Sequence, residues 1–220
     1  MKEIVKDVYH VGDWGCSVFL VDTKSEGGYV LIDCGLNIQL LDKIEQYGLD
    51  PHNIKHCIIT HAHIDHIGAC TELRDFNPRI KFYAHKKDAA AIEEKGHDRK
   101  TAASWYGIDY QPIPLFKKFE KDKETLQIGG YTFQCIHTPG HTPGSISVFV
   151  KIDEKKVLFG QDVHGPFRNS FGSDLNEYQK SMERLLDLDA DILCEGHFGV
   201  FRPAKKVEQY IKKHIAQNEP

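Results

Sequence analysis

Residues 60 to 66 read Thr-His-Ala-His-Ile-Asp-His, at the end of the β-branched run His56 to Thr60. No other segment restricts the chain as much. Four imidazole and carboxylate groups crowd together, and desolvating them is costly unless something pairs them. In an extended stretch, residues two apart point to the same side, so His61 and His63 can converge on one ion. Asp65 and His66 are adjacent and diverge on a strand. A turn entering a helix at Gly68 redirects them toward a second ion. The spacing therefore predicts a two-metal site at the end of a strand.

The rest of the chain is compatible with an enzyme built around such a site. It has 220 residues, 40% hydrophobic and 27% charged, which reads as one globular domain over residues 1–220. The formal charge of −4 gives no general drive onto nucleic acid or an anionic membrane. The N-terminal stretch alternates charged and aliphatic residues, with no apolar core of a secretory signal. The longest apolar run, Cys16 to Val21, is interrupted by Ser17 and is too short to span a bilayer. Six cysteines are scattered with no C-x-x-C pair, mostly in apolar runs. Buried reduced thiols in a cytoplasmic protein are the expectation, and zinc-finger spacing is excluded.

Short strands are predicted over Ile4–Val8, Ser17–Asp22 and Tyr29–Asp33, with a turn at Glu26-Gly27-Gly28. Asn37 to Tyr47 has helical spacing and ends at Gly48. A helix over Gly68–Phe76, a strand over Ile80–Ala84 and a helix over Lys86–Lys95 follow. Residues 96–120 carry Trp105, Tyr106, Tyr110, Phe116 and Phe119 with little periodicity, and read as a long aromatic loop. Strands then return at Thr125–Ile128, Tyr131–His137, Ser145–Ile152, Lys156–Phe159 and Ile192–Cys194. Helices are predicted over Leu175–Leu188 and Pro203–Ile215. Strands interleaved with helices, twice over, suggest two sheets covered by helices.

The histidine cluster resembles the signature of the metallo-β-lactamase superfamily, and further segments match in order. Ile32-Asp33-Cys34-Gly35 resembles the early Asp-x-Gly segment, whose aspartate supports a ligand from behind. Thr138-Pro139-Gly140-His141-Thr142-Pro143-Gly144 resembles the second histidine motif. Leu158-Phe159-Gly160-Gln161-Asp162 resembles the strand that ends in a bridging aspartate, with Gln161 where the family usually has glycine. Glu195-Gly196-His197 resembles the last motif. The resemblance implies an α/β, four-layer αββα sandwich of two mixed sheets flanked by helices. It implies one ion on His61, His63 and His141, a second on Asp65, His66 and His197, and Asp162 between them. His137 is the rival to His141, which is preferred because its Pro-Gly pairs shape a sharp loop.

Such ions lower the pKa of bound water to about 7, so hydroxide is available at neutral pH to attack a carbonyl or phosphorus. Two divalent ions also offset the acidic composition locally, which suits an anionic small-molecule substrate. Imidazole and carboxylate ligands suit zinc, with iron or manganese as alternatives. Asp65 can also orient the attacking water, and His164, two residues after Asp162, can carry a proton. Trp105, Tyr106 and Tyr110 can wall the cleft or cover it as a lid, with core packing or a dimer contact as the plain alternative. Tyr178 or Asn176 can donate to a substrate oxygen, although both fall in a predicted helix.

The family resemblance narrows the chemistry further. A glutamate replaces His63 in flavodiiron relatives, cleavage-factor nucleases carry a large inserted domain, and glyoxalase II proteins carry a C-terminal helical domain. The short form resembles glyoxalase II-like thioester hydrolases and lactonases. The expectation is a dinuclear metallohydrolase acting on a thioester, lactone or related ester. The alternatives are a persulfide dioxygenase with one iron on His61, His141 and Asp162, a phosphodiesterase, and a metal-binding module without turnover. Homo-oligomerisation is left open.

Overall fold

The computed structural model describes residues 2–12 and 15–220. Met1, at the start of the predicted domain, lies outside the described residues. The first sheet holds β1 (Lys2–Val5), β2 (Val8–His10), β3 (Phe19–Asp22), β4 (Tyr29–Ile32), β5 (Ile54–Ile58), β6 (Lys81–His85) and β7 (Lys117–Phe119) in chain order. Its first four strands pair antiparallel, and β4 through β7 pair parallel. The second sheet runs β13 (Gly199–Phe201), β12 (Ile192–Glu195), β11 (Lys155–Phe159), β10 (Ile146–Ile152), β9 (Tyr131–His137) and β8 (Lys123–Ile128). Only its β11–β12 pair is parallel.

Parallel neighbours need crossovers, and helices supply them. On the first sheet these are α1 (Leu40–Gln46), α2 (Ile64–Ile67), α3 (Cys70–Phe76), α4 (Lys86–Glu93) and α5 (Ala103–Tyr106). On the second, α6 (Leu175–Leu186) crosses between β11 and β12, and α7 (Ala204–Gln217) closes the chain. Three apolar cores separate four layers. One packs α1 and α3 on the first sheet through Ile44, Cys57, Leu73 and Phe82. One lies between the sheets through Phe19, Ile32, Phe133 and Phe159. One packs α6 and α7 on the second sheet through Met182, Leu185, Leu193 and Ile211. This is the expected αββα sandwich with two mixed sheets.

Helix α6 shows why the layers hold. Asp174 accepts from the Glu177 amide at 3.0 Å, which caps the first turn. Tyr178, Ser181, Met182 and Leu185 are buried at helical spacing, so one face meets the sheet. Truncating Leu185 to alanine would cost about 2–5 kcal/mol.

Several sequence expectations need correction. Ile4–Val8 is not one strand, because Lys6 and Asp7 turn the chain into a β1–β2 hairpin and Asp7 takes φ +65°. The predicted helix over Gly68–Phe76 starts at Cys70, and a separate turn, α2, carries Asp65 and His66. Residues 96–120, expected as one long loop, also hold α5 and β7. Tyr110 and Ile113 enter the first core, and β7 pairs in register with β6 from Tyr83–Lys117 to His85–Phe119. That strand is short and carries Lys117 and Lys118, a common way to blunt a sheet edge. Strand β13, after His197, had no clear pattern. All six cysteines are buried and free, as expected; the sulfurs of Cys34 and Cys70 lie 3.0 Å apart.

Candidate metal centre

The site lies at one end of both sheets, where β5, β9, β11 and β12 finish. After β5 the chain bends at His61, is extended at His63, whose ψ is 145°, and then turns into α2. That break turns Asp65 and His66 toward a different spot from His61 and His63. His141 comes from the loop between β9 and β10, Asp162 from just after β11, and His197 from just after β12.

Two clusters result. His61, His63, His141 and Asp162 form one, and Asp65, His66 and His197 the other, each with ligand-type atoms within 4.8 Å of one another. Asp162 lies between them. Its Oδ2 is 3.3 Å from His141 Nε2 and 3.6 Å from His61 Nε2. Its Oδ1 is 3.2 Å from His197 Nε2 and 3.4 Å from His66 Nε2. One carboxylate thus turns one oxygen to each cluster. Asp65 Oδ2 is 3.3 Å from His197 Nε2.

Surrounding groups fix which nitrogen of His61, His66 and His141 faces inward. His141 Nδ1 is 2.9 Å from the Pro166 carbonyl, so it carries the proton and leaves Nε2 free. His66 Nδ1 donates to Asp33 Oδ2 at 2.8 Å. Asp33 also accepts from the Thr60 amide and hydroxyl, each at 2.7 Å, and that hydroxyl is 3.1 Å from His61 Nδ1. Three imidazole nitrogens converge here: His63 Nδ1 is 3.1 Å from His61 Nε2 and 2.9 Å from His141 Nε2. Nitrogens converging on one point are the arrangement that a shared cation requires. Asp162 Oδ1 and His63 Nε2 are buried without a well-formed hydrogen bond. The donor set fits two divalent ions bound by nitrogen and oxygen.

The electrostatics differ between the clusters: burial would lower His66 and His197, but nearby acidic groups, Asp162 and Asp65 among them, hold both above the usual imidazole range. Burial, reinforced by neighbouring histidines, holds His61 and His63 well below the usual imidazole range, so both are neutral ligands at pH 7. Burial alone would raise the Asp162 carboxyl, but His66, His141 and His197 hold it well below the usual carboxylate range. Asp33 and Asp162 both adopt left-handed backbone, at φ +61° and +51°. Such conformations carry strain that the surrounding packing must sustain.

Two buried acids hold the ligand-bearing loops in place. Asp88, on α4, accepts from the Ala62 amide at 3.1 Å, the Thr142 hydroxyl at 2.7 Å and the Gly144 amide at 2.8 Å. It joins the loop of His61 and His63 to the loop of His141. A Cβ at Gly144 would lie 2.5 Å from the Asp88 carboxyl carbon, so only glycine allows this approach. Glu195 turns Oε2 to the His197 and Phe198 amides, at 2.8 and 2.9 Å, and Oε1 to His164 Nδ1, at 2.8 Å. The only hint of Asp88 was a lone acid among alanines and lysines. Glu195 was hidden inside a motif valued for its histidine.

The remaining candidates divide. His164 lines the cleft beside Asp65, Asp162 and His197. Trp105 and Tyr106 stand at its rim, 55% and 44% exposed, which is unusual for such large rings. Tyr178 does not reach the cleft: its ring is buried and its hydroxyl donates to the Val163 carbonyl at 2.7 Å. Helical packing won there because its helical position faces the third core. Asn176 is exposed on the outer face of α6. His137 is turned away, 2.9 Å from the Pro143 carbonyl and stacked on His85. Gln161 uses its side chain to donate to the Ser17 carbonyl at 2.9 Å, a contact glycine could not make. No described helix is long and apolar enough to cross a membrane.

Residues 11–197 match the Metallo-beta-lactamase superfamily. The chain is 32% identical over 150 residues to hydroxyacylglutathione hydrolase GloC of Haemophilus influenzae, a match covering 67% of this chain and 65% of that protein. It is 37% identical over 127 residues to the probable metallo-hydrolase YqgX of Bacillus subtilis, covering 54% of each. The chain thus spans about two thirds and about half of these relatives' lengths. Its backbone superposes on the metallo-beta-lactamase GOB-18 of Elizabethkingia meningoseptica with a TM-score of 0.81 at 22% identity, covering 99% of this chain and 88% of that one.

Proposed function

The chain belongs to the metallo-β-lactamase superfamily, and we propose that it is a metallo-hydrolase that cleaves a small anionic thioester, lactone or related ester. The observation that carries this reading is the Asp162 carboxylate with one oxygen turned to each histidine cluster. His61, His63 and His141 would hold one divalent ion, Asp65, His66 and His197 the other, with zinc favoured and iron or manganese as alternatives. When bound, the ions supply an activated water and an electrophilic partner for the scissile carbonyl oxygen.

The chain's own groups do the rest. Asp65 sits beside the cleft and can accept a hydrogen bond that orients the attacking water. His164, held at Nδ1 by Glu195, presents its other nitrogen as the proton carrier to the leaving group. Trp105 and Tyr106 wall a cleft of about 140 Å³, which suits a compact acyl group. The Arg168 guanidinium lies 4.7 Å over the Trp105 ring, which puts a cation at the mouth for an anionic substrate. A thioester also agrees with the name of the Haemophilus relative. Six free thiols favour a reducing, cytoplasmic setting.

The test is a substrate panel with defined metal loading: thioesters, lactones, simple esters, phosphodiesters and a persulfide with oxygen monitored. Hydrolysis of a thioester or lactone with two metals per chain is expected. Oxygen consumption with one iron, or turnover of phosphodiesters alone, would replace this reading.

A further inference from the structure

A second hollow lies at the opposite end of the first sheet, beside the starts of β5 and β6. Lys55 precedes His61 by six positions, about 20 Å along an extended chain. The hollow has a volume of about 450 Å³, within the range of small-ligand sites. Its walls carry His52, Lys55, His56, Arg79 and Lys81, against the single carboxylate of Glu26. In a chain of net charge −4, this is a local reversal of sign.

The cations are not neutralised by neighbours. Lys55 donates to the Glu26 backbone carbonyl, not to its carboxylate. Lys81 lies 4.7 Å over the Phe116 ring. Among the described residues, Arg79 has no side-chain partner. The walls are nevertheless well anchored. Asn77 donates to the carbonyls of His52 and Ile54 at 3.3 and 3.0 Å and accepts from the Arg79 amide at 3.2 Å. His56 Nδ1 is 2.8 Å from the Tyr83 hydroxyl, and the His52 ring stacks on Phe76. Burial and the charges of Lys81 and Lys55 push His56 down to about 4, so it faces the hollow as a neutral ring.

We propose that this hollow binds a small phosphorylated anion, a phosphate monoester or diphosphate, at a site separate from the metal clusters. Three cations around one cavity exceed what a monocarboxylate can neutralise. A phosphate offers several acceptor oxygens to Arg79, Lys55 and Lys81 at once.

The test is titration of inorganic pyrophosphate into the metal-loaded protein, followed by calorimetry and ³¹P NMR. The parent, an Arg79→Ala/Lys81→Ala variant and a Lys151→Ala/Lys155→Ala control are compared. One binding event should weaken about tenfold or more in the first variant and persist in the control, by loss of charge-assisted contacts. Pyrophosphate reaching the metal clusters gives a separate event that all three proteins keep. Turnover at the metal centre should stay at the parent level in both variants. A titration of Arg79→Ala/Lys81→Ala that overlays the parent, or equal weakening in the control, would overturn the proposal.

Discussion

Asp33 Oδ2 lies 2.8 Å from His66 Nδ1, and both side chains are entirely buried. The same carboxylate receives the amide and hydroxyl of Thr60, which begins the ligand-bearing loop. One acid therefore orients a ring in one cluster and the backbone leading to the other. Asp33→Asn keeps the shape but removes the charge and turns a donor toward other donors. Metal affinity is expected to fall about 10–100-fold, as for other partners of metal-binding histidines. Metal titration with circular dichroism checks this; parent-like affinity would refute it.

Asp88 poses a sharper stability question. Asp88→Ala leaves the Ala62 and Gly144 amides and the Thr142 hydroxyl without their acceptor. One buried unsatisfied group costs about 1–3 kcal/mol, and water entering the gap limits the sum. The expected loss is about 3 kcal/mol in urea denaturation, together with weaker metal binding. Loss of stability with unchanged metal affinity would show that the two ligand loops are aligned without it.

His63→Ala removes the ring that contacts both His61 and His141. Elemental analysis should find close to two metals per chain in the parent and fewer in the variant, with hydrolysis lost. Full activity in the variant would reassign the ligands.

His85 links stability to acidity. It caps α4 by accepting from the Lys87 amide at 3.3 Å, which needs a neutral Nδ1, and its ring stacks 3.9 Å from that of His137. Burial, with His137 and nearby lysines, lowers His85 to about 4 in the folded protein. The unfolded chain titrates near about 6.5 and so takes up the proton first on acidification. Stability is thus unaffected above that pH and falls as pH drops from about 6.5 toward 4, by at most about 1.4 kcal/mol per unit. His85→Asn keeps a capping acceptor and should flatten this dependence relative to the parent. Identical pH profiles would eliminate His85 as its source.

Trp105 is half exposed at the cleft rim, so Trp105→Ala should change stability by less than about 0.5 kcal/mol. If the ring contributes to binding of substrate and transition state alike, KM rises several-fold and kcat holds. An unchanged KM would assign Trp105 to a surface role.

The convergence of His61, His63, Asp65 and His66 was legible because a strand followed by a turn is local geometry. His141, Asp162 and His197 came from family resemblance, since only the fold brings three distant loops together. Asp88 and Glu195 were not legible, because a buried acid among helix formers looks like any surface acid until its partners are known. The β1–β2 hairpin was missed because Asp7 carries the left-handed turn usually marked by glycine. Strand β7 was missed because three residues are too few to show a period of two.

The two metal clusters take some of their groups from the end of one sheet and some from the other. Neither half of the chain can hold an ion by itself in this arrangement. The affinity for metal is therefore also a gauge of how well the halves are aligned. A substitution deep between the sheets, far from any imidazole, should surface first as leaking metal, before either sheet begins to melt.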